Sequence, residues 1–172
     1  MNASTELLVD AFDRIREEVE ATVTGLTPEE IGARVGPRAN PIGWLVWHLT
    51  RVQDDHVAEL TGRAQVWTKD RWAERFALPF PPEATGFGHS SEDVAALGTP
   101  DADLLVGYHQ AVHERTVSYL NRVKVGDLAE VVDDRWNPPV TLGVRLVSVV
   151  AEDLQHVGQA AYVRGLLRAD DS

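Results

Sequence analysis

The sequence predicts an all-α fold, a four-helix bundle with one long crossover loop between its second and third helices. Four long segments carry apolar residues at three- and four-residue steps, which is the period of an amphipathic α-helix. Residues that commonly begin or end helices border these segments. Residues 62–100, between the second and third segments, keep neither the helical nor the strand period. Four helices joined in this way are typical of a bundle with one crossover connection.

The first two predicted helices have recognisable ends. The first covers residues 5–24 and stops at Gly25, because glycine commonly follows the last turn of a helix. The second starts at Asn40-Pro41, a cap residue followed by proline at the first helical position, and ends before Gly62.

The third and fourth predicted helices cover residues 101–124 and 141–168. Asp101 and Asp103 suit the positive end of the third helix dipole. The fourth helix is apolar over most of its circumference, so we expect it to be the most buried of the four.

The crossover loop is rich in aromatic residues, which disordered linkers lack. Proline and glycine interrupt its backbone, and a loop of this length in a compact protein is usually functional. We therefore interpret it as a lid over one end of the bundle. The aromatic residues are Trp67, Trp72, Phe76, Phe80 and Phe87.

Composition narrows the function classes. The 172 residues suffice for one domain, residues 1–172, with a full hydrophobic core. There are no cysteines, so any metal must bind to nitrogen and oxygen ligands. Acidic residues outnumber basic ones 27 to 16, and the net charge of −11 argues against nucleic acid as a partner. We find neither a signal peptide nor an apolar stretch of about 20 residues, so we expect a cytoplasmic protein without membrane contact.

Glu152 and His156 are the first candidate site residues. They lie four residues apart on the fourth helix, so their side chains share one face and could converge on one ion. The alternative is a hydrogen-bonded pair at the edge of a helix, because this spacing is common in helices.

His48 lies within the apolar stripe of the second helix and faces the core. A lone histidine there is more often a hydrogen-bonded core residue, but facing helices with inward ligands are how bundles build metal sites.

His109 and His113 on the third helix form a rival pair with the same four-residue spacing. Their neighbours Gln110 and Glu114 are polar, and we interpret this side of the helix as solvated. His56 lies two turns beyond His48 and could line the same cavity without binding the ion.

The chain resembles the DinB-like superfamily of four-helix bundles, and in particular its actinobacterial, mycothiol-linked branch. The resemblance covers nearly the whole chain, with a looser match in its middle third. The segments that carry it are Leu26-Thr27-Pro28-Glu29-Glu30, Pro41-Ile42-Gly43-Trp44-Leu45-Val46-Trp47-His48-Leu49 and Glu152-Asp153-Leu154-Gln155-His156-Val157-Gly158-Gln159, continuing to Tyr162 and Arg164.

The resemblance implies a divalent metal ion, zinc or nickel, held by one ligand from the second helix and two from the fourth. Many members of the superfamily use three histidines. In this sequence the family's three ligand positions correspond to His48, Glu152 and His156. This pattern is similar to that of the mycothiol-dependent maleylpyruvate isomerases. Members of this branch are thought to act as thiol transferases or isomerases, with mycothiol as co-substrate.

Our leading hypothesis is that a small-molecule thiol, mycothiol, is activated at the metal and attacks an electrophile. The alternatives are a metal-binding or sensing module without turnover, and a purely structural bundle. A homodimer is a further expectation. The substrate-binding residues that we predict for the transferase are Arg51, Trp67, Trp72, Trp136 and Arg164.

Overall fold

The computed structural model describes residues 2–169 and has the predicted all-α bundle architecture. Its four long helices are α1 (Ala3–Val23), α3 (Ile42–Thr61), α7 (Ala102–Leu120) and α8 (Leu142–Arg168). All four lie within a few residues of the predicted segments. The cap predicted at Asn40 is displaced by one residue, because Pro41 caps α3 without a side-chain hydrogen bond.

Shorter elements connect the long helices. They are α2 (Pro28–Gly32), α4 (Val66–Lys69), α5 (Trp72–Phe76), α6 (Ser91–Ala96), a 3₁₀ turn (Gly126–Ala129), β1 (Val131–Asp133) and β2 (Val140–Thr141). The two strands pair antiparallel, with Val131 opposite Thr141 and Asp133 opposite Val140, and lead directly into α8.

The predicted crossover loop contains α4, α5 and α6, and its start is fastened to the bundle by a buried carboxylate. Asp54 on α3 accepts hydrogen bonds from the backbone N–H groups of Val66 and Trp67 and from the Tyr108 hydroxyl on α7. Most of the aromatic residues of the crossover pack inward on the core, whereas Phe87 is 91% exposed.

The helix α3 is the most buried of the four long helices, so the expectation for α8 is wrong. On α3 even Thr50, Arg51, Gln53 and Asp54 are buried, because α7 and α8 flank it and the crossover covers it. The helix α8 packs on α1 and α3, and part of its apolar circumference stays exposed.

The directions of α3 and α8 follow from their contacts. His48 lies beside Glu152, whereas Glu59, eleven residues further along α3, bonds to Arg145 near the start of α8. The two helices therefore run antiparallel. No helix within residues 2–169 combines the length and the hydropathy that crossing a bilayer requires.

Candidate metal centre

His48, Glu152 and His156 come together between α3 and α8. Glu152 Oε1 lies 3.5 Å from His48 Nε2 and 3.0 Å from His156 Nε2. The two imidazole rings are 4.9 Å apart, centre to centre, and nearly perpendicular. Each residue offers one ligand atom within 4.8 Å of the other two, so the three could hold one ion. The convergence predicted from helical spacing is therefore present.

Hydrogen bonds at the far ring atoms fix the orientation of both imidazoles. His48 Nδ1 lies 2.6 Å from the Thr85 carbonyl oxygen, and His156 Nδ1 lies 3.0 Å from Gln159 Oε1. Both partners are oxygen acceptors, so each Nδ1 carries the proton and donates it. A ring that carries its proton on Nδ1 presents Nε2 toward Glu152 as a ligand atom for a metal ion. His156 Nε2, at 3.0 Å, also lies within hydrogen-bonding distance of Glu152 Oε1, the pairing named above as the alternative. Second-sphere bonds of this kind orient histidine ligands in metalloproteins.

This arrangement fits a cation. Two Nε2 atoms and a carboxylate oxygen face one another, and a cation shared among them, a metal ion or a proton, relieves the repulsion between their lone pairs. Burial lowers the pKa of His48, which keeps its ring neutral and able to bind a metal. Ligand atoms about 2.1 Å from a tetrahedral ion lie about 3.4 Å from one another. The observed separations of 3.0 and 3.5 Å bracket that value.

The other sides of the His48 ring contact an aromatic ring and a glycine. The Trp44 ring stacks on the His48 ring at 4.5 Å and meets the His156 ring edge-on at 6.3 Å. Gly86 approaches so closely that an added Cβ would lie 2.7 Å from His48 Nδ1. Its φ of +96° also favours glycine.

A cavity of about 450 Å³ opens beside His48 and Glu152. Glu152 is partly exposed there, so the three ligands leave an open side, as catalytic rather than structural metal sites do. His56 lines this cavity, as its place two turns beyond His48 predicts, and is not one of the three candidate ligands. The other lining residues are Val52, Asp55, Thr85, Phe87, Ser148 and Val149.

The burial of Arg51 argues against its predicted contact with substrate. Its guanidinium is inaccessible and donates to the carbonyl oxygens of Ala84 and Pro82 and to the Tyr108 hydroxyl. Arg51 therefore fastens the far end of the crossover to the bundle, where we expected it to bind substrate.

None of the other predicted substrate residues lines the cavity beside His48 and Glu152. Arg164 donates to the carbonyl oxygens of Thr22 and Thr24 at the end of α1. Trp67 and Trp72 are buried against Tyr108, and Trp136 is exposed in the connection between β1 and β2. The aromatic residue that does line the cavity is Phe87.

The prediction that His109 and His113 lie on a solvated face is wrong. His109 is buried, its Nδ1 lies 3.1 Å from the Thr50 hydroxyl, and burial lowers its pKa to about 3. His113 Nε2 lies 2.7 Å from Asp13 of α1. The helix α1 covers this side of α7. Thr50 and His48 are separated by about 200° around α3, so His109 faces away from the candidate centre.

Sequence reasoning missed the supporting roles of Thr85, Gly86 and Gln159. Gln159 carried a signal, because it follows His156 by three residues and i,i+3 side chains are neighbours on a helix. Thr85 and Gly86 lie in the crossover, where no period predicts which carbonyl or which glycine meets a ring on α3.

Comparisons with known proteins agree with this architecture. A crystal structure of a conserved protein from Enterococcus faecalis superposes with a TM-score of 0.89 at 35% sequence identity, covering 96% of this chain and 97% of that one. No curated protein matches significantly. Residues 7–169 match the mycothiol S-transferase family, and this range includes all three candidate ligands. The chain therefore belongs to the mycothiol S-transferase family, a DinB-like family.

Proposed function

We propose that this protein is a divalent-metal-dependent thiol S-transferase that joins mycothiol to an organic electrophile, with His48, Glu152 and His156 holding a zinc or nickel ion. The observation that carries the proposal is the convergence of two oriented Nε2 atoms and one carboxylate oxygen beside an open cavity. Family membership supports the thiol as co-substrate.

The residues present suit such a reaction. One carboxylate and two neutral imidazoles leave a net charge of about +1 on a bound divalent ion, enough to lower the pKa of a thiol beside it. The chain has no cysteine, so the thiol sulfur must come from outside the protein. In the reaction a sulfur–carbon bond forms, the leaving group departs and the thiol proton is released, without a change of redox state.

The protein's contribution is orientation and partial exclusion of water. The Thr85 carbonyl and the Gln159 amide oxygen keep the two rings directed at one point before any ligand arrives. Preorganised ligands avoid the cost of rearrangement during the reaction. Phe87, at the cavity, is placed to cover a bound organic substrate.

The test combines metal content with thiol consumption. Elemental analysis of protein purified without a histidine tag should find about one zinc or nickel ion per chain. Metal-loaded protein should then consume mycothiol, or a short thiol analogue, with members of a panel of electrophiles faster than metal-free protein. If metal loading gives no increase in thiol consumption across the panel, the transferase proposal fails and a binding module becomes the better account.

Glu152→Gln tests the ligand set. The substitution keeps the side-chain volume and removes the negative charge, so metal affinity and turnover should fall at least about 10–100-fold, the range seen for loss of second-sphere partners. The matched control is Glu114→Gln on the exposed side of α7, which should change neither. Equal behaviour of the two variants would exclude Glu152 as a ligand.

A further inference from the structure

The outer side of α8 carries an apolar stripe that is exposed within the described residues 2–169, except that Ala161 at its end is half-buried. Its members follow steps of three, four, three, four and three residues, the spacing of a helix–helix contact seam. Val147 is 60% exposed and Leu154 is 48% exposed, although both are large apolar side chains. The outer stripe of α8 consists of Val144, Val147, Ala151, Leu154, Gly158 and Ala161.

The exposed side chains of α8 that border the outer stripe are uncharged. Within the described part of α8, the other exposed side chains between residues 144 and 162 are Ser148, Gln155, Gln159 and Tyr162. By contrast, the exposed side of α1 carries Glu6, Asp10, Arg14 and Glu17. Because the chain has a net charge of −11, an uncharged face about 27 Å long is unusual on its surface.

We propose that the outer stripe of α8 is the interface of a homodimer in which two copies of the chain pack α8 against α8 in antiparallel orientation. An uncharged face is where two copies of a strongly acidic protein approach with the least repulsion. The stripe also lacks the flanking lysines and arginines that a membrane surface would require.

The sequence of the stripe is self-complementary in the antiparallel sense. A two-fold axis between residues 152 and 153 places Val144 opposite Ala161 of the second copy. The same axis places Val147 opposite Gly158, and Ala151 opposite Leu154. Each pair then combines a large residue with a small one, which lets two helices interdigitate closely.

Parallel pairing lacks this fit. It would set each residue against its own copy, so Leu154 would meet Leu154 while Gly158 met Gly158 and left a gap. Specific dimers bury about 800 Å² on each partner. Tyr162, which is 69% exposed beside the stripe, adds to the apolar surface that α8 offers to such a contact.

The dimer would lie next to the candidate metal centre. Ser148 borders the outer stripe and also lines the cavity beside His48 and Glu152. The second copy would therefore stand near the mouth of that cavity. The dimer proposal itself rests on the surface of α8 and holds whether or not the protein transfers thiols.

Sedimentation equilibrium of the full chain across the micromolar range tests the proposal. The wild type should have twice the monomer mass of 19.0 kDa. Leu154→Glu places a charge against Ala151 of the other copy and should weaken the dimer at least about a hundredfold. The matched control is Leu7→Glu on α1, because Leu7 is even more exposed (73%) and lies outside the stripe.

A rescue experiment tests the antiparallel pairing. Gly158→Leu should give monomers, because the new side chain meets Val147 of the other copy, whereas a Cβ at this position has nothing within 4 Å in the single chain. Adding Val147→Ala should restore the dimer by returning a small residue to the pair. A monomeric wild type, or a dimer that Leu154→Glu leaves intact, would overturn the proposal. Failure of the rescue would overturn the antiparallel pairing.

Discussion

Replacing Gly86 by alanine should test whether the crossover orients His48. The added Cβ would lie 2.7 Å from His48 Nδ1, 3.0 Å from a ring carbon of Trp47 and 3.1 Å from one of Trp44. Contacts this short force a neighbour to move. The His48 ring is the group that the Thr85 carbonyl now holds at 2.6 Å, so its displacement would weaken that hydrogen bond and turn Nε2 away from Glu152.

Two effects contribute to the expected magnitude. A left-handed φ costs a residue with a Cβ about 1–2 kcal/mol, which for a chain of this size lowers the Tm by about 2–8 °C. Loss of second-sphere orientation typically weakens metal binding about 10–100-fold. Gly86→Ala should therefore reduce both the free energy of unfolding and the affinity for zinc or nickel.

Gly88→Ala separates the two effects. Gly88 lies in the same segment with a φ of +76°, but a Cβ there would have nothing within 4 Å. It should therefore lose a comparable amount of stability and keep its metal affinity. Thermal unfolding of metal-free protein and competition with a chelator measure the two quantities. Equal metal affinities for the two variants would refute the role assigned to the crossover.

Three further substitutions probe buried polar groups. Burial lowers the pKa of His109 from 6.5 to about 3, so below pH 6.5 only the unfolded chain gains a proton at this residue and the folded protein loses stability. In His109→Gln, the loss of unfolding free energy between pH 7 and pH 5, measured by urea unfolding, should be smaller by about 2 kcal/mol. An unchanged pH dependence would contradict this. Asp54→Asn should cost about 1–3 kcal/mol at pH 7, because its new N–H₂ group must face a backbone N–H; wild-type stability in chemical unfolding would refute it. Burial, followed by the charge of Glu152, raises the pKa of Asp153, so the wild type should lose stability as the pH rises and this carboxyl group ionises. In urea unfolding of metal-free protein, Asp153→Asn should therefore gain stability relative to the wild type between pH 5 and pH 7.5. A difference in unfolding free energy that stays constant with pH would mean that the carboxylate is paired.

The helices could be predicted from the sequence because periodicity is a local signal. The apolar steps and the terminal residues place α1, α3, α7 and α8 within a few positions of their observed ends. The same local geometry brings Glu152 and His156 to one face, and the apolar stripe around His48 turns it inward. What period and spacing alone leave open is which helices face each other.

Contacts between distant segments account for the errors. Gln110 and Glu114 suggested solvent around His109 and His113, yet Asp13 on α1 meets His113 from a hundred residues away. Arg51 was expected to bind substrate, but it donates to carbonyl oxygens that belong to the crossover. These carbonyls are present in every sequence, so side-chain patterns carry no information about where they point.

The helix α8 shows that an apolar circumference can indicate either a helix buried within its own chain or one with an apolar side left exposed. Three successive residues of α8 face three environments, because each step turns the helix by about 100°. Glu152 points to the candidate metal centre, Asp153 to the core and Leu154 to the outer stripe. A helix that is apolar on nearly every side must therefore be covered on nearly every side. Since α1 and α3 cover only part of α8, an apolar surface remains exposed, and it is this surface on which we propose that a second copy packs.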